Sequence, residues 1–330
     1  MKKILLIRFS SIGDIVLTTP VIRALKIQLN CELHVLTKEK YSTILSNNPN
    51  IDAVYTLRKS IKEVIPFLKE EKFDLIIDLQ KNRRSYQLRK TLNKPVSSFP
   101  KLNIQKWLLV NLNINRLPDV HIVDRYFKAV EHLNVINDGK GLDYFIPEDA
   151  IVEIQKINPD LSIGYIAIAI GGQHFTKMLP VEKLISIISK ISYPVVLLGD
   201  KQDRNRGDEI IKRLQKSDVF NACGKYNLDQ SASLIQQSAA VISNDTGLMH
   251  IAAALQKPIV SIWGNTIPKF GMYPYFPSGN NTSIFSEVND LKCRPCSKLG
   301  YKKCPKKHFN CMMLQDEAFI SDSINDLMKN

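Results

Sequence analysis

A chain of 330 residues with a formal net charge of +13 is longer than one ordinary domain, since single domains cluster near ~100 to 150 residues, and it implies two. With 44% apolar and 23% charged residues it has the composition of a globular protein, and no uninterrupted apolar run approaches the ~18 residues needed to span a bilayer. The opening MKKILLIRF is apolar, but Arg8 and Asp14 interrupt the run and no small-residue cleavage site follows, so a cytoplasmic chain is expected.

KKILLIRF reads as a strand buried on both faces, which predicts a parallel sheet covered by helices. The small residues Ser10, Ser11 and Gly13 then let the chain turn tightly around Asp14. Thr18 or Thr19 can cap a helix in which Pro20 suits the first turn and Val21, Ile22, Leu25 and Leu29 recur at helical spacing. CELHVLTK and FDLIIDLQ read as further strands, so the first lobe is α/β. From Leu79 to Pro118 there is no acid, while Lys81, Arg83, Arg84, Arg89, Lys90, Lys94, Lys101, Lys106 and Arg116 fall inside. Such a patch attracts polyanions, whether nucleic acid, phosphorylated sugars or an anionic lipid surface. The stretch DVHIVDRYFKAVEHL reads as an ordinary helix.

The polar region from Pro147 to Ser162 marks the domain boundary, giving lobes 1–158 and 159–330. Strands GYIAIAIGG, PVVLLGD, DVFNACG, AAVIS and PIVSIWG then alternate with helices VEKLISIISKI, RGDEIIKRLQK, LDQSASLIQQ and LMHIAAALQ, a second doubly wound lobe. A second acid-free basic stretch, Leu291 to Gln315, contains Cys293, Cys296, Cys304 and Cys311 with His308 between the last two. In a reducing compartment this spacing points to structural zinc more than to disulfides, with reduced thiols that simply pack a loop as the default. Cys31 and Cys223 read as core residues, and AFISDSINDLMK as a closing carboxyl-terminal helix.

In open α/β sheets ligands bind beyond the carboxyl ends of the strands, which singles out two loops. One holds Asp14. The other, ISNDTGLMHIAAAL, places Asp245, Thr246 and Gly247 at a helix amino end suited to a phosphate, with His250 a turn further on. Each aspartate alone is explained by helix capping, and a lone histidine on an apolar helix by packing. GxGxxG and GxxxxGK[ST] are both missing, so dinucleotide and P-loop readings lose their support.

The segments KKILLIRFSSIGDIVLTTPVIRALK and SNDTGLMHIAAALQKPIVSIWG resemble the signature segments of glycosyltransferase family nine, the ADP-heptose:lipopolysaccharide heptosyltransferases. GGQHFTKMLPVEKL and LLGDKQDRN resemble that family's donor loops, and IDLQKNRRS its acceptor-side segment. The resemblance implies a GT-B architecture, two Rossmann-like doubly wound lobes facing across a cleft, with the acceptor on the first and the nucleotide sugar on the second. It implies Asp14 as general base, Lys177 as the cation that neutralises the donor diphosphate, and Asp245, Thr246, Gly247 and His250 at the donor-binding helix start. Asp203 matches an acidic residue near the nucleotide ribose, and Ser11, Gly13 and Thr176 are expected to line the donor. TKMLP departs from relatives that carry an aromatic near Met178 or Leu179.

The expected reaction is an inverting displacement without a catalytic metal, because no Asp-x-Asp pair is present to hold one. Arg83 and Arg84, joined by Arg125 and His121, would grip carboxylates or phosphates of a lipopolysaccharide core acceptor. ADP-heptose is the donor implied, with peripheral contact at the cytoplasmic face of the inner membrane through exposed lysines and Trp107, unless LNIQKWLLVNL buries its apolar residues. The alternatives are a non-catalytic nucleotide- or anionic-glycan-binding protein and a transferase for another nucleotide sugar. A nucleic-acid partner is not expected, since no aromatic–basic interleaving accompanies the charge.

Overall fold

A computed structural model describes residues 1–280 and 282–328. The expected closing helix spans Glu317–Leu327, and Lys329, the last residue of the predicted segment, lies outside the described residues. The chain divides into two compact units. Met1–Leu102 and Asp119–Phe145 form the first, and Asn103–Pro118 together with the chain from Ile146 onward forms the second.

The first unit holds five parallel strands, β1 (Lys3–Ile7), β2 (Glu32–Lys38), β3 (Ala53–Leu57), β4 (Leu75–Asp78) and β5 (Val96–Ser98), in the order β3-β2-β1-β4-β5. The second holds six, β6 (Ile166–Ala169), β7 (Val195–Leu198), β8 (Val219–Asn221), β9 (Ala240–Asn244), β10 (Ile259–Trp263) and β11 (Ser283–Glu287), in the order β11-β10-β9-β6-β7-β8. The strands read from sequence are the apolar runs buried on both faces. β3, β5 and β11 were not among them, and each is an edge strand with a largely half-exposed pattern, so no apolar run marks it.

The first core gathers Leu5, Ile7 and Phe9 with Leu36, Phe73, Ile76 and Leu88. The second gathers Ile168, Val195, Ile242 and Val260 with Ile320 and Ile324 of the terminal helix. Truncating one of these buried Leu, Ile or Phe side chains to Ala costs about 2–5 kcal/mol, through lost burial and the cavity left behind.

The boundary lies nearer Phe145 than the expected 158. Arg23, on the helix Thr19–Leu29, pairs with Asp138 (2.8 Å) and Asp143 and donates to the Gly141 carbonyl, fastening that segment to the first unit. A few residues on, the Val152 amide donates to Ser233 Oγ (2.9 Å), so the chain has already joined the second. The segment Asn103–Leu112 is a helix that buries only Leu109, while Ile104, Trp107 and Leu112 remain exposed. Among the described residues, no helix is long and apolar enough to cross a membrane.

Candidate active site

In each sheet the strand order reverses once, between β1 and β4 and between β6 and β9, and the loops leaving such a pair of strands frame a ligand crevice. In the first unit these are the loops that carry Asp14 and Arg83. The turn expected around Asp14 proves to be a short helix, Ile12–Val16, with Ser11 as N-cap and Asp14 at its third position. Asp14 Oδ2 accepts from the Ser11 amide (3.0 Å) and hydroxyl (2.9 Å), which is the capping arrangement that its position alone suggests.

Capping does not account for the other oxygen. Asp14 Oδ1 lies 2.5 Å from Nη2 of Arg8, a buried side chain at the end of β1. Arg8 also donates to the Ser10 carbonyl (3.0 Å), the Leu79 carbonyl (2.5 Å) and the Tyr126 hydroxyl (2.9 Å). Burial pulls its pKa down, but the charge of Asp14 leads the interactions that outweigh this and leave the pKa raised, so the guanidinium stays cationic. Arg8 therefore ties the two switch-point loops together and fixes the orientation of a carboxylate whose side chain stays 24% exposed.

In the same unit a cavity of about 380 Å³ is lined by Phe9, Ser10, Lys38, Asn82, Arg83 and Arg84. The loop after β4 is held open by its own side chains. Buried Asp78 accepts from the amides of Gln80 (3.0 Å) and Lys81 (2.7 Å), and Gln80 accepts from the Phe9 amide (2.9 Å). Asn82 then caps the helix Arg83–Leu92, which presents Arg83 and Arg84 in its first turn. Lys38, Arg83 and Arg84 have no carboxylate partner among the described residues, so their charge is available to an anion. Arg125 is different. It is buried in the helix Ile122–Phe127, and burial lowers its pKa, while His121 caps that helix by accepting from Val123.

In the second unit the loops after β6 and β9 meet. Lys177, ending the turn Phe175–Lys177, lies 2.6 Å from Asp245 Oδ2 and donates to the Asp245 carbonyl (3.2 Å). The same carboxylate oxygen accepts from Thr266 Oγ1 at 2.7 Å. Thr246 is the N-cap of the helix Gly247–Ala254, yet its side chain makes no capping bond, so the amides at this amino end keep no side-chain acceptor. An ammonium group beside an uncapped helix start is an arrangement that favours an anion. His250 is buried a turn into that helix.

Thr176 is also buried, and its hydroxyl is spent on Tyr301, accepting from the amide at 2.8 Å and donating to the carbonyl at 3.3 Å. Its place is thus to pin the cysteine-rich segment. Asp203 stands at the N-cap position of the helix Arg204–Leu214 without a side-chain capping bond, its carboxylate accepting instead from the Asp200 amide (3.0 Å). Its carboxylate fills the space above Gly171, where a Cβ would fall 2.0 Å from Oδ2, and burial raises its pKa.

The four clustered cysteines do not form the ligand shell that their spacing suggests. A tetrahedral zinc with Zn–S near ~2.3 Å needs sulfurs about 3.8 Å apart. Among the described residues, no three of these thiols or His308 bring ligand atoms within 4.8 Å of one another. Cys293 Sγ lies 3.8 Å from His308 Nε2, Cys311 is part of the apolar core, and burial pushes its thiol up to about 12. All six cysteines are free thiols, with Cys31 and Cys223 buried as expected. Glu32, His34 and Glu71 do converge at that distance, but the Lys3 ammonium lies among them, 3.0 Å from Glu32 and 2.7 Å from Glu71.

A sequence model described as glycosyltransferase family 9 (heptosyltransferase) matches residues 61–306. The chain belongs to glycosyltransferase family 9. Among curated relatives, lipopolysaccharide heptosyltransferase 1 of Campylobacter coli is 26% identical over 290 residues, covering 80% of this chain and 84% of the relative. Two solved structures share the fold. The glycosyl transferase family 9 protein of Veillonella parvula superposes with a TM-score of 0.77 at 21% identity, covering 99% of this chain and 97% of that one. The E. coli ADP-heptose LPS heptosyltransferase II gives 0.73 at 21% identity, covering 100% and 99%. The fold is GT-B, and this family-9 member is a glycosyltransferase.

Sequence reading did not single out Arg8, Lys38 or Thr266. Arg8 was legible in principle, as a charge closing an apolar strand six residues before a lone aspartate. The others reach their neighbours only through the fold.

Proposed function

We propose that this family-9 enzyme transfers heptose from ADP-heptose to a lipopolysaccharide core acceptor with inversion, the first unit binding acceptor and the second donor. The Lys177–Asp245 pair at the uncapped helix start of Gly247 carries the reading. Negative charge grows on the leaving diphosphate, and a fixed ammonium with helix amides meets that charge without the reorganisation that water would need. Asp245 holds Lys177 in place until the donor phosphates compete for it.

Asp14 then accepts the proton of the attacking hydroxyl, a step worth about 10²- to 10⁴-fold in rate. Arg83, Arg84 and Lys38 bind the anionic groups of the acceptor, since Arg matches both carboxylate and phosphate with a paired fork. Such an acceptor is lipid-anchored, so the enzyme works peripherally at the cytoplasmic face of the membrane. Asp14→Asn keeps an oxygen for the Ser11 cap and removes the charge. It is expected to lower transfer by at least about 100-fold with ADP binding unchanged, read by product formation and by calorimetry. Transfer at the wild-type rate would remove Asp14 as the base.

A further inference from the structure

Lys177 and Thr266, the two side chains that hold Asp245, both hang on one segment far along the chain. On the Thr266 side, Arg294 reaches into the loop that leaves β10. Its Nε donates to the Gly264 carbonyl (2.7 Å) and its Nη2 to the Thr266 carbonyl (3.1 Å). The rest of the guanidinium is anchored at the end of β11, to the Val288 carbonyl (3.1 Å) and Glu287 Oε2 (2.6 Å). On the Lys177 side, Tyr301 is bonded to Thr176, and Gly300 packs against the ring of His174, where a Cβ would fall 2.6 Å from that side chain. The ring of Phe309 stacks on Phe175 at 5.0 Å.

We propose that Arg294 is a positioning residue for the donor diphosphate site. It fixes the loop Gly264–Thr266 so that the Thr266 hydroxyl orients Asp245, and Asp245 in turn sets where the Lys177 ammonium stands. The path is continuous, from Glu287 through Arg294 and the Thr266 backbone to Asp245 and Lys177, with no heavy-atom step above 3.1 Å. Arg294 touches neither donor nor acceptor in this scheme. A planar fork is required, because the two loop carbonyls and the Glu287 carboxylate are met at once by groups in fixed relative directions. Lysine keeps the charge and loses that geometry. The proposal rests on Lys177 being the diphosphate's partner.

Two measurements on Arg294→Lys, Thr266→Val and their double variant separate the two ideas. The first is site-resolved amine labelling by mass spectrometry, which reads Lys177 with no ligand present, with Lys183 as internal control because Glu317 pairs it at 2.7 Å in the same unit. Labelling of Lys177 is expected to rise several-fold in each single variant, no further in the double, and not at all at Lys183. The second is ADP affinity by calorimetry, expected to weaken about tenfold in either single variant and no more in the double, as for two links in one chain. Unchanged Lys177 labelling in Arg294→Lys overturns the positioning role. So does a rise shared by Lys183, which would mean general loosening, or losses that multiply in the double variant. Failure of the wild-type protein to bind ADP while Lys177 labelling responds as stated removes the donor reading and leaves the positioning path standing.

Discussion

The two ends of the first sheet carry charge in opposite ways. At the amino ends of its strands, Lys3 pairs with Glu32 and Glu71, Glu32 with His34 at 2.8 Å, and Glu71 with the Tyr55 hydroxyl. His34 lies between the rings of Tyr55 and Phe73. Every charge there is answered, so the cluster ties β1 and β2 to the segment before β4 and offers nothing to a ligand. At the carboxyl ends, Arg8 answers Asp14, but Lys38, Arg83 and Arg84 surround a cavity with their charge unmatched. Acidic and basic residues gather at both ends. The candidate site is marked by the imbalance, and the orientation of Asp14 within it by the buried arginine that pairs with it.

The sharpest break in this contrast should come from Arg8. Arg8→Met leaves the Leu79 carbonyl and Tyr126 hydroxyl without their donor and Asp14 without its counter-charge. A loss of about 3 kcal/mol in urea unfolding is expected, with transfer reduced at least as far as in Asp14→Asn. A fully active variant would separate the base from its support. Next in size, the double variant Arg83→Ala with Arg84→Ala should raise the acceptor KM by roughly tenfold and leave the urea midpoint almost unmoved, since both side chains are exposed and unpaired. Raising ionic strength should weaken acceptor binding by the wild type and hardly alter it in the variant.

The smallest effect belongs to the closed end. Hydrogen bonds from Lys3 lead the causes that lower the pKa of Glu32 and Glu71, and hydrogen bonds to Glu71 and Glu32 raise Lys3 to about 12. A depressed carboxylate stabilises the fold fully above its unfolded pKa of ~4.3, and that contribution disappears as pH falls through the folded value. Lys3 works in the opposite sense, contributing fully below ~10.4 and losing its effect as pH rises through about 12. Lys3→Met should therefore flatten the acid limb of a Tm-against-pH profile below about pH 4.3 while transfer at neutral pH is unchanged. An activity loss matching that of the arginine variants would show the two ends of the sheet to be coupled.

The alternation of buried apolar runs with amphipathic segments was enough to find the central strands, because a parallel strand covered on both faces leaves an unmistakable pattern. Edge strands such as SIFSE leave none, being half solvated, and the segment 103–118 could not be assigned to its unit from local composition. Asp14 and Lys177 were singled out by the motifs around them. Their settings were not, since Arg8–Asp14 and Lys177–Asp245–Thr266 join residues brought together by sheet order. Whether the clustered cysteines gather is a question of the same kind. Spacing fixes which thiols can meet, and packing decides whether they do.

The helix Asn103–Leu112 has a consequence for how the chain is made. It leaves the ribosome directly after the first five strands, but the unit it belongs to is completed only with β11, about 170 residues later. At roughly 5–20 residues per second that is a wait on the order of ten to thirty seconds before Leu109, the residue this helix buries, has the complete sheet of its own unit in the same chain. The first unit closes at Phe145, so during synthesis it is whole while the helix that interrupts its sequence still waits for most of the second.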